Sequence, residues 1–118
     1  MWIKCKCVNI IHDNTDNISY KGHIISDKEY FKMLDLADEM IESSSANREA
    51  LAMTFRTNIS SKGYIKIKSI FQCQYCGRLL LEDENNQYCC FTPDEHEKKD
   101  LLDFNGDNII DYRYKDKF

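Results

Sequence analysis

A short turn with two cysteines and a glycine, Cys73-Gln74-Tyr75-Cys76-Gly77, restricts the fold of this chain more than any other segment. Such a turn curls the backbone so that two thiolates converge on one point while neighbouring amides face the sulfurs. Glycine after the second cysteine permits a positive φ. The segment therefore predicts one half of a metal site, and the chain must supply the other half from elsewhere.

The other half is expected near the N-terminus, where Cys5 and Cys7 lie in an alternating segment. Ile3, Cys5 and Cys7 occupy alternate positions, and Lys4 and Lys6 lie between them. This alternation predicts a half-buried strand over Trp2–Ile11. Cysteines two apart on a strand project to the same face, so both can reach one ion. The expected ligands of a tetrahedral structural site for Zn²⁺ are Cys5, Cys7, Cys73 and Cys76.

Two alternatives to this ligand set remain open. The first half has one spacer residue rather than two, and Val8 stands where a glycine is usual, so Cys89 or Cys90 is a possible substitute. Adjacent cysteines point to opposite faces of a strand, so at most one of them would ligate easily. The other alternative is no metal, with the cysteines as small buried hydrophobes, which is the favoured interpretation of Cys89 and Cys90.

Composition places the chain in a broad class. Its 118 residues, 42% apolar and 31% charged, predict one soluble domain over residues 1–118. No segment resembles a signal peptide or is long enough to span a bilayer, so we expect a cytoplasmic protein. In a reducing cytosol the six cysteines are better interpreted as metal ligands or buried thiols than as disulfides.

Periodicity and capping residues predict the elements. Ser26 and Glu29 form a capping box before a helix over Asp27–Glu42, in which Tyr30, Leu34, Ala37 and Ile41 fall at helical spacing. The further expected elements are a helix over Ala46–Ile59, strands at His23–Ile25 and Tyr64–Gln72, a hairpin of Leu79–Leu81 with Tyr88–Phe91, a short helix after Thr92-Pro93, a turn at Asn105-Gly106 and a strand over Ile109–Tyr114.

These elements predict an α+β fold in which a small antiparallel sheet carries a zinc-ribbon-like four-cysteine site and two helices pack on it. An ion that joins Cys5 and Cys7 to Cys73 and Cys76 closes a loop containing both helices. By analogy with a disulfide, such a closure restricts the unfolded chain by about 4 kcal/mol. Chelation should therefore loosen or unfold the whole chain.

Catalytic motifs are not found in the sequence. A hydrolytic zinc usually keeps a water position and mixes histidine or carboxylate with cysteine, and His12, His23 and His96 are interpreted as solvated. Asp103–Asp107 begins like a calcium loop but lacks the glycine and the final carboxylate that such a loop needs. We therefore expect a protein that is not an enzyme.

Charge points to the kind of partner. The formal net charge is −4, and residues 73–118 carry six Lys or Arg against eleven Asp or Glu. An acidic chain is poorly suited to a phosphate backbone, so nucleic acid is an unlikely partner and a basic protein a better one. Lys62, Lys66 and Lys68 are interpreted as residues on the solvent-facing side of a strand. The residues expected to contact the partner are Glu82, Asp83, Glu84, Asp94, Glu95 and Glu97, with Tyr88, Tyr112 and Tyr114 as aromatic anchors.

The cysteine motifs also carry a resemblance. The Cys73–Gly77 turn resembles the knuckle of zinc ribbons and rubredoxin-like proteins. Together with the opening Met1-Trp2-Ile3-Lys4-Cys5-Lys6-Cys7, it is similar to a group of small bacterial proteins, some of which give immunity to polymorphic or contact-dependent toxins. This resemblance implies an antitoxin that binds a toxin's C-terminal domain, often a basic nuclease, and blocks its cleft with acidic side chains.

The alternative function is a zinc-ribbon module that binds nucleic acid or serves transcription. A ribbon that grips nucleic acid should be basic near its knuckle. Arg78 is the only basic residue next to Cys73–Gly77 in the sequence. The charge therefore favours the protein-binding function.

Overall fold

The computed structural model of the protein describes residues 1–44, 47–94 and 98–103. Over these residues the chain has an α+β fold with two helices, two small antiparallel sheets and a parallel strand pair, which confirms the expected class. The elements in chain order are β1 (Trp2–Lys4), β2 (Ile10–His12), β3 (Lys21–Ile24), α1 (Asp27–Glu42), α2 (Arg48–Thr57), β4 (Ile59–Ser60), β5 (Ile65–Lys66), β6 (Lys68–Gln72), β7 (Leu79–Glu82) and β8 (Tyr88–Phe91).

The strands form three separate groups. β1 and β2 make an antiparallel hairpin, β4 and β5 a short parallel pair, and the main antiparallel sheet has the order β3-β6-β7-β8. The predicted hairpin is present as β7 and β8, with Leu79 opposite Phe91. Strand β3 precedes both helices in the chain and pairs with β6, which follows them, with Lys21 opposite Phe71. The sheet therefore brings residues near 20 and near 70 together.

The continuous strand predicted over Trp2–Ile11 is wrong. Extended structure stops at Lys4 and resumes at Ile10, and the residues between them form a turn. The Cys5 N–H donates to the Asn9 carbonyl at 2.9 Å and the Val8 N–H donates to the Cys5 carbonyl at 3.0 Å. The alternation of this segment comes from the two hairpin strands, which place Ile3 opposite Ile11, and from a turn that aims both thiols at one point.

Both predicted helices are present. Helix α1 has the predicted bounds, and the Ser26 hydroxyl accepts a hydrogen bond from the Glu29 N–H at 3.3 Å. Helix α2 is shorter than the expected Ala46–Ile59. It begins after Asn47, whose side chain accepts from the Ala50 N–H, and ends at Thr57 because Ile59 starts β4. Residues 45 and 46 lie outside the described residues.

The buried core lies at the cysteine end of the molecule. Its cluster of buried side chains comes from β1, β2, β6, β7 and the two cysteine turns. Helix α1 contributes one buried residue, Leu36, and α2 contributes none. The helices contact each other and the parallel pair, α1 against β5 and α2 against β4. The members of the core cluster are Ile3, Cys5, Ile11, Phe71, Cys73 and Leu80.

The predicted helix after Pro93 is absent from the part of that segment that the structure describes. Residues 98–100 have no regular structure, and Asp100–Asp103 form a turn in which the Asp103 N–H donates to the Asp100 carbonyl at 3.2 Å. The remaining part, 95–97, and the predicted turn and strand at Asn105-Gly106 and Ile109–Tyr114 lie outside the described residues. Within residues 1–44, 47–94 and 98–103, neither helix is both long and apolar enough to cross a bilayer.

Candidate metal centre

Four thiols from two turns that are far apart in the chain converge on one point. The Sγ atoms of Cys5 and Cys76 lie 3.5 Å apart, and those of Cys7 and Cys73 lie 3.6 Å apart. All four sulfurs lie within 4.8 Å of one another. A tetrahedral ion with metal–sulfur bonds of about 2.3 Å separates its sulfur ligands by about 3.8 Å. The four predicted cysteines are therefore grouped closely enough to hold a metal ion.

The two halves of this four-cysteine cluster have the same local design. One is the turn between β1 and β2, and the other is the turn between β6 and β7. In each, the second cysteine accepts a hydrogen bond from the backbone N–H two residues later, Asn9 for Cys7 and Arg78 for Cys76. The residue between them has positive φ, 70° at Val8 and 81° at Gly77. The cluster is thus built from two knuckles of similar geometry.

Val8 is a strained residue at the position where sequence patterns favour glycine. A β-branched side chain at positive φ crowds the backbone, and such a conformation costs on the order of 1–3 kcal/mol. Gly77 adopts the same conformation in the other knuckle without that penalty. The valine therefore marks a place where the thiol geometry overrides local backbone preference.

Two side chains direct N–H groups at the sulfurs. Asn9 Nδ2 donates to Cys73 Sγ at 3.4 Å and so connects the first knuckle to the second. An Arg78 guanidinium nitrogen donates to Cys76 Sγ at 3.4 Å. Sequence reasoning did not identify Asn9, although its place two residues after a knuckle cysteine matches that of Arg78. Donors of this kind stabilise thiolates and fix their direction.

The thiols of the second knuckle are acidified. Burial alone would raise the pKa of Cys73, but the N–H groups of Cys76 and Tyr75 and the side chain of Asn9 outweigh it and lower that pKa to about 6. Burial would likewise raise the pKa of Cys76, and the Arg78 N–H and guanidinium help to lower it. These two sulfurs are therefore prepared as thiolates by the polypeptide itself.

The thiols of the first knuckle behave in the opposite way. Burial raises the pKa of Cys5 to about 12, against the lowering effect of the Cys7 N–H. The Asn9 N–H lowers the pKa of Cys7, but burial and the thiols of the second knuckle raise it overall. A cation at the centre of the cluster would remove these penalties, because a coordinating thiol is deprotonated outright. The donor set is therefore chemically suited to a divalent metal.

Basic residues surround the second knuckle more closely in space than in sequence. A methyl group added at Gly77 would lie 3.3 Å from the Lys98 carbonyl oxygen and 3.4 Å from Lys99 Cγ. The sequence had indicated that Arg78 is the only basic residue beside this turn, but in the structure Lys98 and Lys99 also lie beside it. Two lysines of the C-terminal segment thus lie against the second knuckle, Lys98 through its main-chain carbonyl and Lys99 through a side-chain carbon.

A buried amide ties the C-terminal segment to the same knuckle. Gln72 is buried, and its Nε2 donates to the carbonyls of Gly77 at 3.2 Å and Lys98 at 2.9 Å. Its Oε1 accepts the Leu101 N–H at 2.7 Å. A buried amide with all its partners specifies one arrangement of the backbone around it. Gln72 therefore fixes residues 98–101 against the cysteine turn.

The two remaining cysteines lie outside the cluster. Cys89 is exposed on β8, and Cys90 is half-buried against the core. Neither belongs to the group of described residues close enough to share an ion. The ligand set with Cys89 or Cys90 as a substitute therefore finds no support in the geometry.

The predicted partner residues are dispersed, and two of them have local structural partners. The Asp83 carboxylate accepts the N–H groups of Asn85 at 2.8 Å and Gln87 at 2.9 Å, and so shapes the β7–β8 turn. Tyr88 is half-buried, with its ring edge-on to Phe71 at 5.9 Å between centroids, and burial raises its pKa. Asp94 is exposed. Glu95, Glu97, Tyr112 and Tyr114 lie outside the described residues.

The acidic turn faces lysines. Glu82, Asp83 and Glu84 line a cleft of about 440 Å³ whose other side carries three lysines. Opposite charges across one cleft partly cancel at distances beyond it. The surface around the β7–β8 turn therefore carries less net negative charge than the sequence of the turn alone indicates. The lysines are Lys62, Lys66 and Lys68.

Comparison with known proteins gives a family for the chain. No curated protein and no solved structure matches it. A family model matches residues 1–95, a range that contains both knuckles, both helices and all the strands described above. The chain therefore belongs to the family described as a domain of unknown function (DUF8617).

Proposed function

We propose that the protein is a non-catalytic binding module stapled by zinc, and that it acts as an immunity protein, binding and neutralising a bacterial toxin domain. The observation that carries the non-catalytic part is the donor set: four sulfurs, all within 4.8 Å of one another, with no histidine or carboxylate among them. Zinc held by four thiolates is a structural centre, whereas catalytic zinc keeps an open position for water or substrate.

Zinc is proposed because the site suits an ion that needs no redox chemistry and accepts tetrahedral sulfur ligands. Iron also binds four thiolates, so metal analysis must distinguish the two. The ion would be held by two pairs of cysteines that are 66 and 71 residues apart in the chain. Its contribution is therefore to the fold, since it would join the two hairpins that carry the core.

The toxin-binding part rests on charge and on the resemblance of the cysteine motifs. The formal net charge of −4 favours a basic partner, and electrostatic complementarity raises the association rate and selects against wrong partners. A toxin nuclease domain is such a partner, because its cleft must hold phosphates. We expect the encounter to occur in the cytoplasm, with the exposed carboxylates of the protein facing the basic cleft.

A zinc-ribbon nucleic-acid module is the second candidate. It is favoured by the basic residues around the second knuckle, Arg78, Lys98 and Lys99. Binding of this kind depends steeply on salt because phosphate contacts release counterions. Titration with short DNA and RNA at two salt concentrations tests it directly. Tight, salt-sensitive binding would replace the immunity proposal.

The decisive experiment is a growth assay. The proposal expects a toxin gene beside this one, and its product is the probe: that toxin domain is expressed in bacteria with the protein, with a Cys73→Ser/Cys76→Ser variant, or with Cys89→Ser as the matched control. We expect rescue by the native protein and by Cys89→Ser, and loss of rescue by the double variant. Purified protein should contain one zinc per chain. Undiminished killing in the presence of the native protein would contradict the proposal.

A further inference from the structure

The two helices present an apolar surface that no other described element covers. On α1, Phe31 is 55% exposed and Ile41 is 72% exposed, with Leu34 between them on the same side of the helix. Helix α2 has no buried residue at all. Between the helices lies an apolar groove of about 260 Å³. Its lining residues are Ala37, Met40, Ile41, Arg48, Leu51, Ala52 and Phe55.

The first half of α1 is anchored to the strands by two specific contacts. Glu29 Oε2 accepts the Lys66 N–H at 3.4 Å, and Lys32 Nζ lies 4.0 Å from the centre of the Tyr64 ring. The second half of α1 packs along α2, where Arg48 donates to the Ile41 carbonyl at 3.4 Å. The groove thus lies between the second half of α1 and α2, while the first half of α1 is anchored to the strands.

The same half of α1 is strongly acidic. Asp35, Asp38, Glu39 and Glu42 are all exposed, and the sequence from Met33 to Asn47 contains no lysine or arginine. Acidic residues in the last turn of a helix oppose its dipole and destabilise it by about 0.3–1 kcal/mol. Glu39 and Glu42 therefore do not stabilise their own helix, and all four carboxylates lie on the half of α1 that carries the exposed Ile41.

We propose that the α1–α2 groove is the docking site for a basic amphipathic helix of the partner protein. The groove supplies the apolar contact, and the carboxylates of α1 supply charges complementary to lysines or arginines on the incoming helix. A third helix laid along two others would bury the exposed face of α1 in a small bundle. This inference deepens the proposed function and rests on it only for the partner being a basic protein.

The α1 surface fits such a partner better than the β7–β8 turn. The turn has three acids opposite three lysines and only a polar cleft. The α1 surface combines four exposed acids with a groove whose lining is apolar except for Arg48. Interfaces obtain most of their binding free energy from a desolvated apolar centre, while surrounding charges set rate and specificity.

A synthetic peptide tests the docking chemistry without a known partner. The probe is an amphipathic helix of about five turns, with leucines on one face and lysines on the other. One comparison peptide has the same composition in scrambled order, and another has glutamates in place of the lysines. Fluorescence anisotropy at low and at physiological salt measures binding to the full-length protein. We expect binding of the lysine helix only, weakened by salt.

Variants locate the site. Ile41→Asp changes a side chain that is 72% exposed, so it should leave the fold intact and weaken peptide binding at least about tenfold. Met53→Asp is the matched control, since Met53 is 64% exposed on α2 but does not line the groove. Asp38→Lys/Glu42→Lys should weaken binding mainly at low salt. Circular dichroism and zinc content confirm that each variant is folded.

The possible results separate this inference from the proposed function. Equal binding of the lysine and glutamate helices, or equal effects of Ile41→Asp and Met53→Asp, would overturn the docking site. So would a dimer detected by analytical ultracentrifugation that Ile41→Asp abolishes, because the groove would then bind a second copy. If Ile41→Asp still rescues cells from the toxin, the immunity function stands and the groove is not its surface.

Discussion

The region around the two knuckles and the pair of helices α1 and α2, called here the helical hairpin, differ in what holds them together. Around the knuckles, Cys5, Cys73, Phe71 and Leu80 are buried to 2% exposure or less. In the hairpin, Leu36 of α1 is the single buried residue and α2 has none. One region is a compact core organised around four sulfurs, and the other is two amphipathic helices with a face left open.

Under the proposed function, this difference separates stability from recognition within a short chain. The knuckle region concentrates buried side chains and the candidate metal ligands, so changes there should destabilise the whole fold. The hairpin keeps apolar and acidic side chains at the surface, so changes there should alter binding and leave the fold intact. The division is testable by substitutions of graded severity.

The largest effect is expected from Cys73→Ser. The loss of one ligand should release the link between knuckles 66 residues apart and remove about 4 kcal/mol of stabilisation. Thermal unfolding followed by circular dichroism measures it, and a strong chelator or mild acid should act in the same direction, because protons compete with the metal for thiolates. A Cys73→Ser protein as stable as Cys89→Ser would refute the structural role of the cluster.

Phe71→Ala should come next. Its ring is fully buried in the core cluster, and truncation of such a ring costs about 3–5 kcal/mol. Met53→Ala on α2, at 64% exposure, should change the free energy of unfolding by less than about 0.5 kcal/mol. Urea denaturation compares the two. Equal losses would mean that the hairpin is as tightly packed as the knuckle region.

A smaller effect is expected from Gln72→Leu. The apolar side chain would leave the Lys98 and Gly77 carbonyls and the Leu101 N–H without their amide partner, which costs about 1–3 kcal/mol. Hydrogen exchange should show faster exchange at Leu101 and the residues next to it, with little change in α1. Unchanged exchange there would show that Gln72 does not secure this segment.

A stabilising effect, smaller than the losses expected from Cys73→Ser, Phe71→Ala and Gln72→Leu, is expected from Val8→Gly. Glycine relieves the strain at φ 70°, and although it adds freedom to the unfolded chain, the net gain should be about 1 kcal/mol. Gly77→Val is the reciprocal change and should destabilise the protein, since its side chain would also meet the Lys98 carbonyl. Differential scanning calorimetry of both variants checks the sign.

The elements governed by local rules could be predicted from the sequence. The Ser26 cap and helical spacing gave the bounds of α1, and alternation around a polar turn gave the β7–β8 hairpin. The four cysteines could be grouped because a thiol pair with a following glycine needs a second pair. The helix and the hairpin depended on residues close together in the chain, and the cysteine grouping depended on two short motifs that are each local.

Features that depend on distant residues were missed. The N-terminal segment alternates as a strand does, and because Val8 stands where a knuckle usually has glycine, the sequence did not indicate that this residue would adopt a positive φ. Asn9 reaches Cys73 only because the β1–β2 turn and the β6–β7 turn meet, and Lys98 is held beside the second knuckle by the Gln72 amide. Likewise, the spacing of α1 identified an apolar face but could not show that the other described residues leave it uncovered.

The separation of the two knuckles in sequence also fixes when the protein can mature. Synthesis proceeds from the N-terminus, so the first thiol pair emerges from the ribosome while Cys73 and Cys76 are still untranslated. Until then the core cluster also lacks Cys73 and Leu80. An ion held by all four thiols, as proposed above, would therefore be bound only after residue 76 has been synthesised.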